Sequence, residues 1–428
     1  MSDTVIMRHP KLTLRPDPSR IVIRPFTPSD PAAFAVEGHP RHDRIARRIL
    51  ALEDGDLAAA LDRVRNTLAG RHRDLEDVLL RRYDQLDLET CRDVGRDRAL
   101  LVGAYFSEEY SYEAAALFNP SVVLHNDQSG LPDGAVRFVL SLRGIGEGHV
   151  SSVTFRTGTW GPDGIVIDPP SRQSVPPRIE RDEGADGEGE ISLCWPESRD
   201  VSETVLFPIV QRQAQGIEDM RLVTFTEDDG RVRHLGTYTA FGGGRVRQEL
   251  IEAADYRNVV MYPLTGAVAD AKGLALFPRR IDGRYMALGR QDNENIWLLA
   301  SDDLLAWPDG GRKLITPRYP WEYIQMGNCG APIELDEGWL VLTHGVGMVR
   351  NYCMGAALLD KRDPGKLLAR TPRPLLEPAD TERDGYVPNV VYTCGALKIG
   401  EDLFMPYGIA DSSIGFAFFK LKALLAAM

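Results

Sequence analysis

Asp133-Gly134-Ala135-Val136-Arg137-Phe138-Val139-Leu140-Ser141-Leu142, with Val150 to Phe155 after it, is the stretch from which the fold can be read. An acid–glycine turn leads into an apolar run, a polar loop follows, and a second apolar run returns. The format recurs. Asp229-Gly230 leads into Val232 to Thr239 and then Val246 to Ile251, and Asp282-Gly283 leads into Tyr285 to Leu288 and then Ile296 to Ala300. Glu337-Gly338 leads into Trp339 to Thr343 and then Cys353 to Leu359, and Gly400-Glu401 leads into Leu403 to Tyr407 and then Ile414 to Phe419. Short apolar runs between turn signals are read as strands. None of the five units can bury its own face alone. Together they predict an all-β domain built as a five-bladed β-propeller, with a β-sandwich as the alternative.

The step between the first two units is longer than the others because an insertion, roughly Pro169 to Gly189, lies between them. It carries Pro169-Pro170, Pro176-Pro177, Asp182-Glu183-Gly184 and Gly187-Glu188-Gly189, which predicts a surface loop. Upstream, from Asp30 to about Leu86, the period changes. Ile45, Ile49, Leu57, Leu61, Val64, Leu68, Leu75, Val78 and Leu79 recur at steps of three and four, with arginines and acids between them. That is the pattern of amphipathic helices, broken at Asp54-Gly55 and Gly70. The chain therefore divides into an N-terminal, mostly α-helical extension over 1–95 and a propeller over 96–428. Leu421 to Met428 is read as a short closing helix.

The 428 residues are 43% hydrophobic and 26% charged, with a net charge of -12. This is the composition of a soluble globular protein, and its acidity argues against nucleic acid and anionic lipid as partners. No apolar run reaches the ~18 residues that a membrane helix needs. Met1 to Pro10 lacks the apolar segment of a signal peptide. Cys91, Cys194, Cys329, Cys353 and Cys394 are odd in number and form no C-x-x-C pair, so reduced thiols and a cytoplasmic location are expected. The histidines show no metal-ligand spacing, and no metal is expected.

Chemistry is sought first at Gly216-Ile217-Glu218-Asp219-Met220-Arg221, at the mouth of the strand-like Leu222 to Phe225. Two buried carboxylates this close cannot both ionise freely. One is expected to rise in pKa and serve as a proton donor, with Arg221 keeping the other ionised. Polar residues also recur at the same end of the repeats: Asn119 before the first, Arg143, Arg290 with Gln291, His344 and Asp411. Apolar strands that each deliver a polar residue to one end would form a single concave site.

These residues resemble glycoside hydrolase family 130, the β-mannoside phosphorylases and β-mannosidases. The resemblance rests on Glu218-Asp219 with Arg221, Phe118-Asn119-Pro120, Thr343-His344-Gly345-Val346, Met354 to Asp360 and Val387-Pro388-Asn389, and it spans about 98 to 420. It implies a five-bladed propeller. It implies that Asp219 is the catalytic acid, that Asn119, Arg143 and Asp411 bind the mannosyl group beside Glu218, and that Arg247, Lys272 and His344 hold phosphate. Two positions depart from the family pattern: Met220 stands where proline is usual, and Gly289-Arg290-Gln291 replaces His-Arg-Pro.

The expected reaction is inverting cleavage of a β-mannoside oligosaccharide by inorganic phosphate, a co-substrate, to give mannose 1-phosphate. The family is thought to pass the proton through a sugar hydroxyl. No other cofactor is expected. A homo-oligomer is expected through the N-terminal helices, as some relatives form one. The alternatives are a hydrolase whose base would be Glu249, Glu252 or Glu294, and a propeller that only binds glycans.

Overall fold

Each acid–glycine turn does open a strand pair. Gly134, Gly230, Gly283, Gly338 and Gly400 all have positive φ, a backbone that L side chains rarely adopt. The computed structural model describes residues 6–9, 11–34, 40–86, 88–162, 164–181 and 189–428. Five antiparallel groups follow one another along the chain. Val136–Ile145 pairs with Ser151–Gly161, Val232–Gly242 with Arg245–Ala253, and Tyr285–Gly289 with Ile296–Ser301. Trp339–Val346 pairs with Tyr352–Leu359, and Asp402–Ile409 with Ser413–Lys420. A further strand precedes each pair on its sheet: Ala116–Leu124, Gly216–Thr226, Ala275–Leu276, Gln325–Asn328 and Val391–Tyr392. The first two groups share one sheet through a single parallel link, Gly216 to Ser151. The last group takes in Ile6–Arg8, from the other end of the chain, against Ala417 to Phe419.

The strands are buried on both faces, so their sequences read as apolar runs. Phe138, Leu140 and Leu142 are sealed in one core with Phe404 and Phe416, and Leu340, Leu342, Met405 and Phe419 lie in another. The insertion is not simply a loop. Its Arg178–Arg181 pairs with Ile191–Cys194 just beyond its end, and that strand pairs in turn with Asn258–Pro263. Its Pro and Gly punctuation hid this, because both strands are only four residues long. Asp182-Glu183-Gly184 and Gly187-Glu188 lie outside the described residues. The closing helix is Leu421–Ala426.

The chain forms two compact units. One comprises Met1–Pro18, Tyr112–Pro170 and Pro177–Met428, and the other Ser19–Ser111 with Ser171–Pro176. The second unit holds helices α1 (Arg41–Leu50), α2 (Asp54–Leu68), α3 (Leu75–Asp84) and α4 (Arg96–Tyr105). Ala46, Ile49, Leu57, Leu61, Val78 and Leu79 form its core, as the period requires. Helix α4 lies beyond the expected helical limit at 95. Ala99 to Gly103 are buried consecutively, so the middle of this helix has no polar face and no amphipathic stripe to read.

Candidate active site

Two strands carry the same irregularity at the same place. In Ala116–Leu124 the pairing skips from Phe118 to Ser121, and in Gly216–Thr226 it skips from Glu218 to Arg221. The first residue of each bulge, Asn119 and Asp219, is left-handed, with φ 46 and 53. Bulges re-aim side chains. Here they turn Asn119 and Asp219 onto each other, with Asn119 Nδ2 donating to Asp219 Oδ1 at 2.8 Å. Gly408 makes room, since a Cβ there would come within 3.0 Å of the Asn119 backbone nitrogen.

Arg143 completes the cluster. Its guanidinium donates to Asp219 Oδ1 at 3.0 Å, to Glu218 Oε1 at 2.8 Å and to Ser151 Oγ at 2.9 Å. Arg221 is fully buried beneath, donating to the Asp219 carbonyl at 3.1 Å and to the Tyr392 hydroxyl at 2.8 Å. Burial pushes the Asp219 carboxyl up, but Arg143, Arg221 and the Asn119 hydrogen bond overcome it and hold the group below the usual carboxylate range. Sequence reasoning expected one carboxyl of the Glu218–Asp219 pair to rise. The carboxyl that rises is Asp411, to about 7. Burial is the main cause and the Asp219 charge adds to it, against the pull of Arg143. Asp411 sits at the left-handed tip of the turn joining the last two long strands.

On the other side of Glu218 lies a cationic group. Lys272 Nζ is 3.7 Å from Glu218 Oε2. The Lys272 carbonyl accepts the Arg290 N–H at 3.2 Å, and Asn328 Nδ2 donates to the Gly273 carbonyl at 2.8 Å. Arg290 donates in turn to His344 Nε2 at 3.2 Å. Gly327 permits that packing, because a Cβ would fall 2.4 Å from the Arg290 side chain. Burial, then Arg290 and Arg221, drives the His344 pKa far down. His344 is thus a neutral acceptor that orients Arg290 and adds no charge for an anion. Arg290 has the stronger claim: its Nε is buried without a protein partner, as is Asn328 Oδ1. The surviving arginine in the altered Gly289-Arg290-Gln291 triplet was the available signal.

Arg247 is placed differently. The row Glu218–Thr239–Gln248 crosses three strands, and Arg247 pairs with Ala240 in the next row. Side chains alternate along a strand, so Gln248 and not Arg247 leaves on the Glu218 side. The three carboxylates considered as hydrolytic bases are engaged elsewhere. Glu249 is fully buried, with Arg212 at 2.6 Å, Gln213 at 2.8 Å and a close bond from the Tyr238 hydroxyl. Glu252 accepts two bonds from Arg233. Glu294 lies in the exposed turn whose backbone is tied by Asp292.

A family model described as beta-1,4-mannooligosaccharide phosphorylase matches residues 176–428. Over 228 residues the chain is 37% identical to a beta-1,2-mannobiose phosphorylase of Listeria innocua, a match covering 51% of this chain and 62% of that one. It is 35% identical over 215 residues to a 1,2-beta-oligomannan phosphorylase of a Thermoanaerobacter species, covering 50% and 71%. The chain therefore spans less than two thirds of the first relative and slightly more of the second. Among solved structures, a beta-1,2-mannobiose phosphorylase from Listeria innocua in complex with beta-1,2-mannobiose superposes with a TM-score of 0.54 at 24% identity, covering 74% and 92% of the two chains. At that identity the structural match speaks for the fold alone.

Proposed function

Because the chain belongs to glycoside hydrolase family 130, we propose that it cleaves β-mannosides with inorganic phosphate, inverting the anomeric carbon to give mannose 1-phosphate. The observation that carries this reading is the division of the site around Glu218. Asn119, Arg143, Asp219 and Asp411 cluster on one side, and Lys272 and Arg290 lie on the other. The first group suits a sugar and a proton donor, the second a phosphate dianion.

A phosphate oxygen bonds to C1 while the bond from C1 to the leaving oxygen breaks. Asp219 supplies that oxygen with a proton, passed through a hydroxyl of the transferred sugar, and the proton of hydrogen phosphate restores Asp219. Asp219 rests ionised, but a dianion beside it offsets the local cations and raises its pKa, so the donor is charged with its proton when the nucleophile is present. Asp411, which keeps its proton up to about pH 7, can in that form donate to a sugar hydroxyl where an ionised carboxylate could only accept.

The five strand groups support a five-bladed propeller as the scaffold, with the helical unit as an N-terminal extension. Exposed Phe34 and Tyr105 on that unit favour contact between copies of the chain. Five unpaired thiols, four of them buried, fit a reducing cytoplasm.

The test is cleavage of a β-mannobiose with phosphate titrated from zero. The expected result is a rate that rises with phosphate and releases mannose 1-phosphate. A rate indifferent to phosphate, with free mannose as product, replaces this reading with a hydrolase.

A further inference from the structure

Two hairpins at the site end share one backbone design. In Gly146–Val150 and Gly347–Asn351 the leading glycine N–H donates to the carbonyl four residues on, at 3.0 Å in both. Each then passes through a left-handed pair, Gly148 and His149 at φ 70 and 59, Val349 and Arg350 at φ 56 and 53. The tips differ: Glu147-Gly148-His149 is polar, whereas Met348-Val349-Arg350 begins with two apolar residues. Where one hairpin has glycine the other has a β-branched valine, for which this backbone is a genuine outlier. Met348 is 82% exposed and Val349 89%, the highest values among the large apolar residues described. A strained side chain left in water does not stabilise the fold, and exposed apolar groups gathered in one place mark a contact surface.

The tip lies beside the site. Tyr352, just past the hairpin, stacks on the His344 ring at 6.1 Å and donates its N–H to the Asn389 carbonyl. The next residue, Val390, accepts from Ala410 N at 2.8 Å, one residue from Asp411. Ile324 N donates to the Val346 carbonyl, bringing exposed Tyr323 and Ile324 alongside the hairpin. Across the Asp411 turn, Tyr386 donates its N–H to Ser412 Oγ at 2.7 Å, and its hydroxyl lies 3.3 Å from His149 Nδ1 on the polar tip. The two hairpin tips thus flank the Asp411 turn, one apolar and one polar.

We infer that Met348 and Val349, with Tyr323 and Ile324, form the wall against which the leaving sugar of the β-mannoside rests. The inference builds on the mannoside reading of this site. The transferred sugar and the phosphate have their own groups, and the leaving sugar is what remains to be held at the mouth. A pyranose ring presents a face of C–H groups that packs on methyl, thioether and aromatic surfaces, and methionine adapts to more than one such face.

The experiment replaces the apolar tip with its polar twin, Met348→Glu with Val349→Gly. Glu-Gly already occupies the same two places on the same backbone at Glu147-Gly148, and the glycine removes the outlier. kcat/KM is measured for β-mannobiose and for methyl β-mannoside, whose leaving group is too small to reach the wall, and Val349→Gly alone serves as the milder variant. The expected result is a loss of about tenfold on the disaccharide, with the methyl glycoside unchanged. Equal effects on both substrates, or none on either, overturn the inference. The ratio reads the leaving-sugar side with phosphate or with water as nucleophile, so it is distinct from the phosphate titration. A wild-type chain that cleaves neither mannoside overturns both readings.

Discussion

The Asp219 bulge and the Asp411 turn use the same device to opposite effect. Both put an aspartate in the left-handed region, at φ 53 and 48, and both bring it to the cluster around Arg143. Asp219 meets Asn119 and Arg143 directly and lies over buried Arg221, so it is held ionised. Asp411 meets burial and the negative charge of Asp219, so it keeps its proton to about pH 7. The difference teaches that the site is not a pair of equivalent acids. It has one anionic carboxyl sunk in a cationic cage and one protonated carboxyl near it, and the charge of the first helps to keep the proton on the second.

Removing the charge from the anionic member is the severest test. Asp219→Asn keeps an oxygen for Arg143 and should still lower kcat by about 10²–10⁴-fold, as loss of a general acid does. A folded variant with near-normal turnover would break the assignment. Next comes the cationic side. Lys272→Ala should raise KM for phosphate by about tenfold, the scale of one lost charge-assisted contact, while KM for the mannoside stays put. A shift in both constants would mean that Lys272 acts through Glu218 and not on the anion.

The smallest effect is on stability and sharpens the neutral half. Asp411 has a folded pKa of about 7 against an unfolded value of about 3.9, so the folded state holds the proton more tightly. The stability this contributes is complete below pH about 4 and is lost as pH rises towards about 7. Asp411→Asn, which cannot ionise, should therefore gain on the parent as pH rises. Its melting temperature relative to the parent should be roughly 2 °C or more higher at pH 8 than at pH 5. A gap independent of pH would show that Asp411 is not the buried, protonated group.

Most strands of the five groups were legible because apolar runs bounded by positive-φ glycines admit few other readings. The site was legible where one residue sufficed, as at Asp219, Asn119 and Arg143. What escaped depends on register. The two-residue skip at Glu218–Arg221 matches the skip at Phe118–Ser121, so Met220 is the counterpart of Pro120. A proline place filled by methionine looked like a departure, yet the bulge forms with either residue. Arg247 looked equal to Lys272 until pairing put it in another row, and His344 looked like a cation until its burial was known. Helix α4 was hidden because its middle, Ala99 to Gly103, is buried all round and so shows no period.

The pairing of Ile6–Arg8 with Ala417 to Phe419 bears on how the protein is made. The last sheet takes its outer strand from the other end of the chain, more than four hundred residues away. On the ribosome that strand emerges more than four hundred residues before its partner, so it must wait with its backbone groups unpaired while everything between is synthesised. The Ser413–Lys420 edge is covered only then, which makes this closure a slow, long-range step and the partly made chain the form most open to wrong pairing.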